Sequence, residues 1–173
     1  MISAIVYTSE TEFTQQYARM LSEETGLPAY SLNKVPEPRG GREIIYMGWL
    51  CAEGIAGYQR AASRYRVRAV CQVGISFPSE EGLNKTRKRY NIGSEIPVFA
   101  LQGGLDVKKL HGAYRVMMRV WCRKTAAELS QKASLDEQQQ FLYQAARSGA
   151  SAVKRENLSE VIEWYRTTNK EDE

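Results

Sequence analysis

Short apolar segments alternate with helical patterns along most of this chain, and this alternation constrains the fold more than any other feature. Five segments have the length and apolar character of buried strands, at residues 2–7, 29–32, 43–48, 67–74 and 96–101. Nearly continuous apolar character is typical of strands that helices cover on both faces. The pattern predicts a doubly wound α/β fold, in which a five-stranded parallel sheet carries helices on both faces.

Helical spacing fills the intervals between the predicted strands. Phe13, Tyr17 and Leu21 recur every fourth residue, so the first helix is expected to start near Phe13 and to end at Gly26. Further helices are predicted at two places in the middle of the chain, 57–65 and 83–90.

The chain is expected to form a single domain over residues 1–173, with a helical C-terminal part from about residue 106. A length of 173 residues and a hydrophobic content of 43% are sufficient for one compact core. Asn157 precedes the last helical pattern and is its predicted N-cap, because a side-chain oxygen at that position accepts from the first turn.

Composition excludes several classes of function. The net charge of +4 comes without a lysine tract or a nucleic-acid motif, so no nucleic-acid partner is expected. The three cysteines are widely spaced and His111 is the only histidine, so neither a disulfide framework nor a metal centre is predicted. The chain shows no export signal and no apolar stretch of membrane-spanning length, and a cytoplasmic protein is therefore expected.

The segment after the first predicted strand, TSETEFT at 8–14, is rich in hydroxyl groups. Ligands of doubly wound folds bind at the carboxyl ends of the strands, where this segment lies. The hydroxyls of Ser9, Thr11 and Thr14, together with the free N–H groups of the helix that follows, are suited to bind a phosphate. The alternative is an ordinary N-cap, since a serine or threonine ahead of a helix is common.

Three segments carry a resemblance to flavodoxins. Residues 9–14 are similar to the flavodoxin phosphate signature T/S-x-T-G-x-T. GWLCAEGIAGY at 48–58 and LQGGLDVKKL at 101–110 resemble segments of a bacterial flavodoxin-domain subgroup that includes menaquinone-dependent protoporphyrinogen dehydrogenases. The three segments occur in the order found in that subgroup and cover most of the chain up to residue 122.

The resemblance implies a strand order of 2-1-3-4-5, with FMN at the carboxyl ends of the strands. It places the ribityl phosphate on residues 9–14, one flavin face against residues 49–54, and the other face against the loop 76–81. It also implies an electron-transfer protein or an oxidoreductase that acts on a quinone or a tetrapyrrole, with an unidentified redox partner. The implied cofactor-binding residues are Ser9, Glu10, Thr11, Glu12, Phe13, Thr14, Trp49, Leu50, Cys51, Ala52, Gly54, Ser76, Phe77 and Pro78.

One residue departs from the phosphate signature. Glu12 stands where flavodoxins have a glycine, which allows close backbone approach and backbone torsions that are costly to other residues. Its carboxylate also brings a like charge towards a phosphate. In a first hypothesis, Glu12 and Glu10 face away, Thr11 and Thr14 face the cradle, and FMN binds. In a second, the cradle is occluded, and the domain has lost FMN and acts as a binding or regulatory module.

The segment 108–124 combines an apolar stripe with basic residues at helical spacing. Two interpretations are open: a basic amphipathic helix that contacts a membrane surface, and a helix that packs its apolar stripe on the sheet. The residues concerned are Leu110, Tyr114, Met117, Met118 and Trp121 in the stripe, with Arg115, Arg119, Arg123 and Lys124 beside it.

Overall fold

A computed structural model describes residues 1–35, 42–51 and 54–171, without the side chains of 169–171. Its strands are β1 (Ile2–Thr8), β2 (Ala29–Ser31), β3 (Glu43–Cys51), β4 (Gly54–Ile55), β5 (Arg66–Gly74), β6 (Val98–Gln102), β7 (Gly104–Leu105) and β8 (Ala150–Ser151). Its helices are α1 (Phe13–Thr25), α2 (Tyr58–Ala62), α3 (Glu80–Tyr90), α4 (Gly112–Ser130), α5 (Glu137–Ser148) and α6 (Ser159–Glu171), with a 3-10 turn at Arg155–Leu158.

The central sheet has the parallel strand order β2-β1-β3-β5-β6. The short strand β4 lies off this path and pairs antiparallel with the end of β3. Counted without β4, this is the predicted order 2-1-3-4-5, and the prediction of a doubly wound α/β fold is confirmed. The order in which the chain adds strands changes side at β1. The strand β2 pairs with one edge of β1, and β3 and the later strands lie on its other side.

Two apolar cores cover the opposite faces of the sheet, because neighbouring residues of a strand point to opposite sides. Ile5 of β1 belongs to a core with Tyr17 of α1 and Leu158, whereas Val6 belongs to one with Tyr58 of α2. Ile5 and Val6 have no exposed surface. This double covering explains why the strand is apolar at consecutive positions.

The segment 104–151, called the insertion below, lies between β6 and the final helix. It contains the antiparallel pair β7–β8 and the helices α4 and α5, which share a third core with Leu105, Leu110, Cys122 and Ala145 at its centre. The N–H of Ala152 donates to the carbonyl of Gly103, so the insertion leaves and rejoins the fold at one place. The pair β7–β8 is not a predicted element.

The predicted cap at Asn157 is wrong. Asn157 lies inside the 3-10 turn, and its amide donates to the Tyr17 hydroxyl at 2.5 Å and to the Ala152 carbonyl at 2.9 Å. The Tyr17 hydroxyl in turn donates to the carbonyl of Gln102 at 2.5 Å. Burial raises the pKa of Tyr17. A buried hydroxyl needs a partner, and this tertiary requirement outweighs the local capping preference.

Candidate phosphate and cofactor site

A cavity of about 150 Å³ lies at the carboxyl ends of β1, β3 and β5. The loop after β1 and the start of α1 form one wall, the end of β3 forms another, and the insertion covers it. The strand order changes side at this place, and doubly wound folds bind ligands at such a point. The residues that line it from these three sources are Glu10, Thr11, Phe13, Thr14, Trp49, Leu50, Cys51, Gly104, Leu105, Leu110, Tyr114, Met117 and Met118.

The backbone of Glu12 has the conformation that a glycine would adopt. Its φ of 69° is left-handed, and its carbonyl accepts the first intrahelical hydrogen bond of α1, from Gln16. A residue with a Cβ reaches this conformation at a cost of about 1–2 kcal/mol. The backbone at this position is therefore one that a glycine adopts without strain, although the residue is a glutamate.

The Glu12 side chain points towards the insertion. Its carboxylate accepts a hydrogen bond from the Lys109 ammonium, and the pair is about half exposed. The hydrogen bond with Glu12 raises the pKa of Lys109. Glu12 does not cap α1 with its side chain, so the first turn keeps N–H donors that the helix itself cannot use.

Two hydroxyl groups of the cradle are buried without a hydrogen-bond partner in the described part of the chain. They are Ser9 Oγ and Thr14 Oγ1, and Thr14 has an exposed fraction of only 1%. A buried polar atom without a partner costs about 1–3 kcal/mol, so such atoms are uncommon in native proteins. Thr11 is half-buried and lines the same cavity. The cradle thus offers hydroxyl donors that no group in the described part of the chain uses.

Glu10 is an exposed residue at the rim of the cavity. Its carboxylate lies 4.0 Å from Nδ1 of His111, a distance that makes an ion pair only when the imidazole is protonated. Glu10 and Glu12 therefore both face the segment that enters α4. This segment crosses directly over the start of α1.

Aromatic and apolar side chains form the rest of the cavity wall. Trp49, at the end of β3, meets Tyr114 of α4 edge to face, with ring centroids 5.5 Å apart and an angle of 82°. The half-buried Cys51 lies beside Tyr114, and its electrostatic interaction with the Tyr114 phenol raises the pKa of that phenol. Tyr114 and Met117 are 45% and 48% exposed, so this wall is open on its outer side.

The remaining predicted site residues lie elsewhere. Ser76, Phe77 and Pro78 line a neighbouring cavity of about 270 Å³, which shares Leu50 and Gly74 with the first one.

Two other predicted residues remain to be placed. Gly54 lies in β4, paired with Cys51, and a Cβ on it would come within 2.8 Å of the Tyr90 hydroxyl. Ala52 lies outside the described residues. The structure therefore brings together the loop after β1 and the end of β3, and it places the loop after β5 in an adjoining cavity.

Sequence reasoning missed the contribution of the insertion to the site. Lys109, Tyr114 and Met118 contact or line the cavity region, and the motif at 101–110 together with the helical stripe after it was the available signal. The Lys109–Glu12 contact joins residues 97 positions apart, and no local pattern encodes such a contact.

The predicted stripe of α4 divides between two faces. Leu110, Met118 and Trp121 of the stripe pack in the core of the insertion, whereas Tyr114 and Met117 are about half exposed. Val116 and Val120, which the predicted stripe did not include, are 63% and 62% exposed on the same helix. Within the described residues no helix has the length and apolar character needed to cross a membrane.

A scan against protein-family models finds no match for this chain, and a search of curated proteins also finds none. The structure defines a fold class, the doubly wound α/β fold with the flavodoxin-like strand order.

Proposed function

We propose that this chain is an FMN-binding flavodoxin-like redox protein. The observation that carries the proposal is the pair of buried, unpartnered hydroxyls at the start of α1, Ser9 Oγ and Thr14 Oγ1. Ser9 lies in the loop that leads into α1 and Thr14 in its first turn, and Glu12 between them has a left-handed backbone. Hydroxyls and N–H groups together bind a phosphate without a basic side chain, as helix N-termini do in other nucleotide sites.

The ring end of the site fits a flavin only after a small opening. Cofactor pockets have volumes of about 300–1,000 Å³, and the present cavity of about 150 Å³ is smaller. Tyr114 and Met117 are both about half exposed, so an outward movement of these side chains enlarges it. Trp49 and Leu50 then form an apolar wall that stacks against a flat ring and excludes water.

A bound flavin would supply transfer of one or two electrons, and the protein would supply position and electrostatics. Either electron transfer to a partner protein or oxidation of a quinone or tetrapyrrole substrate is compatible with this site. The choice of a tetrapyrrole or quinone rests on the similarity of residues 48–58 and 101–110 to protoporphyrinogen dehydrogenase segments. The basic character of the chain, with a pI near 9.0, favours an anionic partner.

We also propose a cytoplasmic protein with peripheral contact to a membrane through α4. Val116 and Val120 form an exposed apolar strip, and Arg119 and Arg123 lie beside it on the helix. Residues 107–127 contain no carboxylate side chain. An apolar strip with flanking cations suits an anionic lipid surface.

The alternative function is a flavodoxin-like module that binds or regulates a protein partner without a flavin. The observation in its favour is the contact between Trp49 and Tyr114, which lies where a flavin ring would stack. The small cavity agrees with this alternative in the state described here.

The deciding experiment is the visible spectrum of the purified protein before and after addition of FMN, with quenching of flavin fluorescence to give the affinity. The native protein, Glu12→Gly and Tyr114→Ala are compared. Flavin bound to the native protein supports the redox proposal. Binding only after Glu12→Gly identifies Glu12 as the cause of lost affinity, and binding only after Tyr114→Ala identifies the closed ring pocket. No binding in any of the three favours the module without flavin.

A further inference from the structure

Lys109 brings a positive charge to the start of α1. The insertion carries this lysine across the site, and its ammonium donates to the carboxylate of Glu12, the residue that precedes the first turn of the helix. The N-terminus of a helix is itself positive, and a cation there is unfavourable unless an anion lies nearby. In this structure the Glu12 carboxylate is that anion.

The ammonium contacts Glu12, which in sequence stands between the two cradle residues with buried hydroxyls, Ser9 and Thr14. Thr14, with an exposed fraction of 1%, and Ser9 each carry a buried hydroxyl that has no hydrogen-bond partner among the described residues. A phosphate on these groups would stand at the same helix end that Glu12 occupies. The ligand and Glu12 would therefore both attract Lys109.

The strengths of the two interactions decide whether Glu12 or a phosphate holds Lys109. An exposed ion pair changes an equilibrium constant by about fivefold at most, and the Lys109–Glu12 pair is 47% and 58% exposed. A charge-assisted hydrogen bond to a partly enclosed phosphate contributes about tenfold to a hundredfold. The exchange from Glu12 to phosphate is favourable on this comparison.

We propose that Lys109 is a phosphate-binding residue, held by Glu12 until a phosphomonoester in the cradle replaces Glu12 as its partner. The inference rests on the proposed FMN function for the identity of the ligand, while the recognised chemistry is the phosphomonoester group. Glu12 then has a definite role, since it competes with the ligand for the lysine. It also positions the lysine over the helix start before the ligand arrives.

The test separates the phosphate from the ring by comparing FMN with riboflavin, which lacks the phosphate. Affinities are measured by flavin fluorescence for the native protein and Lys109→Met, with Lys108→Met as a matched control of the same charge change one residue away. We expect Lys109→Met to weaken the affinity for FMN by about tenfold or more. The affinity for riboflavin should change by less than about twofold. An equal loss for both flavins, or an equal effect of Lys108→Met, overturns the inference.

Competition by Glu12 predicts an effect of opposite sign. Glu12→Gln should strengthen the affinity for FMN by about threefold to fivefold, which is the effect expected from loss of an exposed ion pair. This gain should be smaller in a protein that also carries Lys109→Met. Glu128→Gln, which removes the carboxylate of another exposed lysine pair, with Lys124, and does not line the cavity, serves as the control. A full gain from Glu12→Gln in the absence of Lys109 would show simple repulsion and contradict the exchange.

A second measurement distinguishes failure of this inference from failure of the FMN proposal. The melting temperatures of the native protein and Lys109→Met are compared in inorganic phosphate and in chloride at equal ionic strength. If no flavin binds but phosphate stabilises only the native protein, the lysine assignment stands and the FMN proposal fails. If flavin binds and Lys109→Met leaves both the FMN preference and the phosphate effect unchanged, the lysine assignment fails alone. Absence of both flavin and phosphate binding overturns both proposals.

Discussion

The two ends of the candidate site differ in how the fold holds them. The cradle end is built on β1 and α1, whose buried residues belong to the core of the sheet, and Thr14 is almost fully buried there. The ring end is covered by α4, where Tyr114 and Met117 are about half exposed. The first end is therefore fixed by the main fold, and the second depends on a separately packed insertion. This division lets the ring end vary while the cradle keeps its shape.

The largest effect should come from removing a side chain that supports the cradle end. Tyr17→Ala removes a fully buried ring and its hydrogen bonds to Asn157 and Gln102, so we expect a loss of about 3–5 kcal/mol in the free energy of unfolding. Tyr114→Ala, at the ring end, should cost about 1 kcal/mol or less. Urea unfolding of both variants measures the difference. Similar losses would mean that the insertion is as integral to stability as the sheet.

The second-largest effect should come from alkaline pH, which lowers the free energy of unfolding. Burial raises the pKa of Tyr46 to about 12, against 10.0 for an ordinary tyrosine. Between these pH values the unfolded chain releases the proton of Tyr46 and the folded chain keeps it. The free energy of unfolding is therefore unaffected by this group below about pH 10 and falls by about 2–3 kcal/mol towards pH 12. Urea unfolding at a series of pH values measures this slope. In Tyr46→Phe the free energy of unfolding should fall less steeply with pH. An unchanged slope would mean that other groups cause the pH dependence.

Two buried threonines provide a matched pair that separates a ligand-binding hydroxyl from a structural one. Thr14 Oγ1 has no hydrogen-bond partner among the described residues, whereas Thr86 Oγ1 donates to Gln72 Oε1 at 2.5 Å. Thr14→Val should stabilise the ligand-free protein by about 1 kcal/mol and weaken FMN, because it removes an unsatisfied hydroxyl that the phosphate would use. Thr86→Val should destabilise by about 1–2 kcal/mol. Calorimetry and flavin titration measure the two quantities, and equal signs for both variants would contradict the assignment.

The smallest expected effect concerns the backbone of the cradle loop. Glu12→Gly relieves a left-handed conformation and should stabilise the protein by about 1 kcal/mol after the loss of the exposed ion pair is included. Glu12→Ala keeps the strain and removes the same ion pair, so it should not stabilise. Thermal unfolding of the two variants measures the comparison. Equal melting temperatures would show that the loop relaxes without a glycine.

The parts of the fold that follow from local patterns were predictable. Spacing of apolar residues identified α1 and its end at Gly26, and the apolar runs identified the five parallel strands. The cradle was predictable because its residues are contiguous in sequence. The partners of Glu12 and Tyr17 were not, since their contacts with Lys109 and Asn157 span 97 and 140 residues. Strands of two residues, such as β7 and β8, are too short for a periodic signal.

The hydrogen bond between Ala152 and Gly103 has a consequence for how such a chain can be shortened or extended. Because the insertion departs and returns at adjacent points, a short turn can replace it without altering the connections between strands of the main sheet. Closure of a longer loop costs only about 0.6 kcal/mol for each doubling of its length. The base of the insertion is thus a natural graft point, where a different recognition segment can be placed over an unchanged loop between β1 and α1.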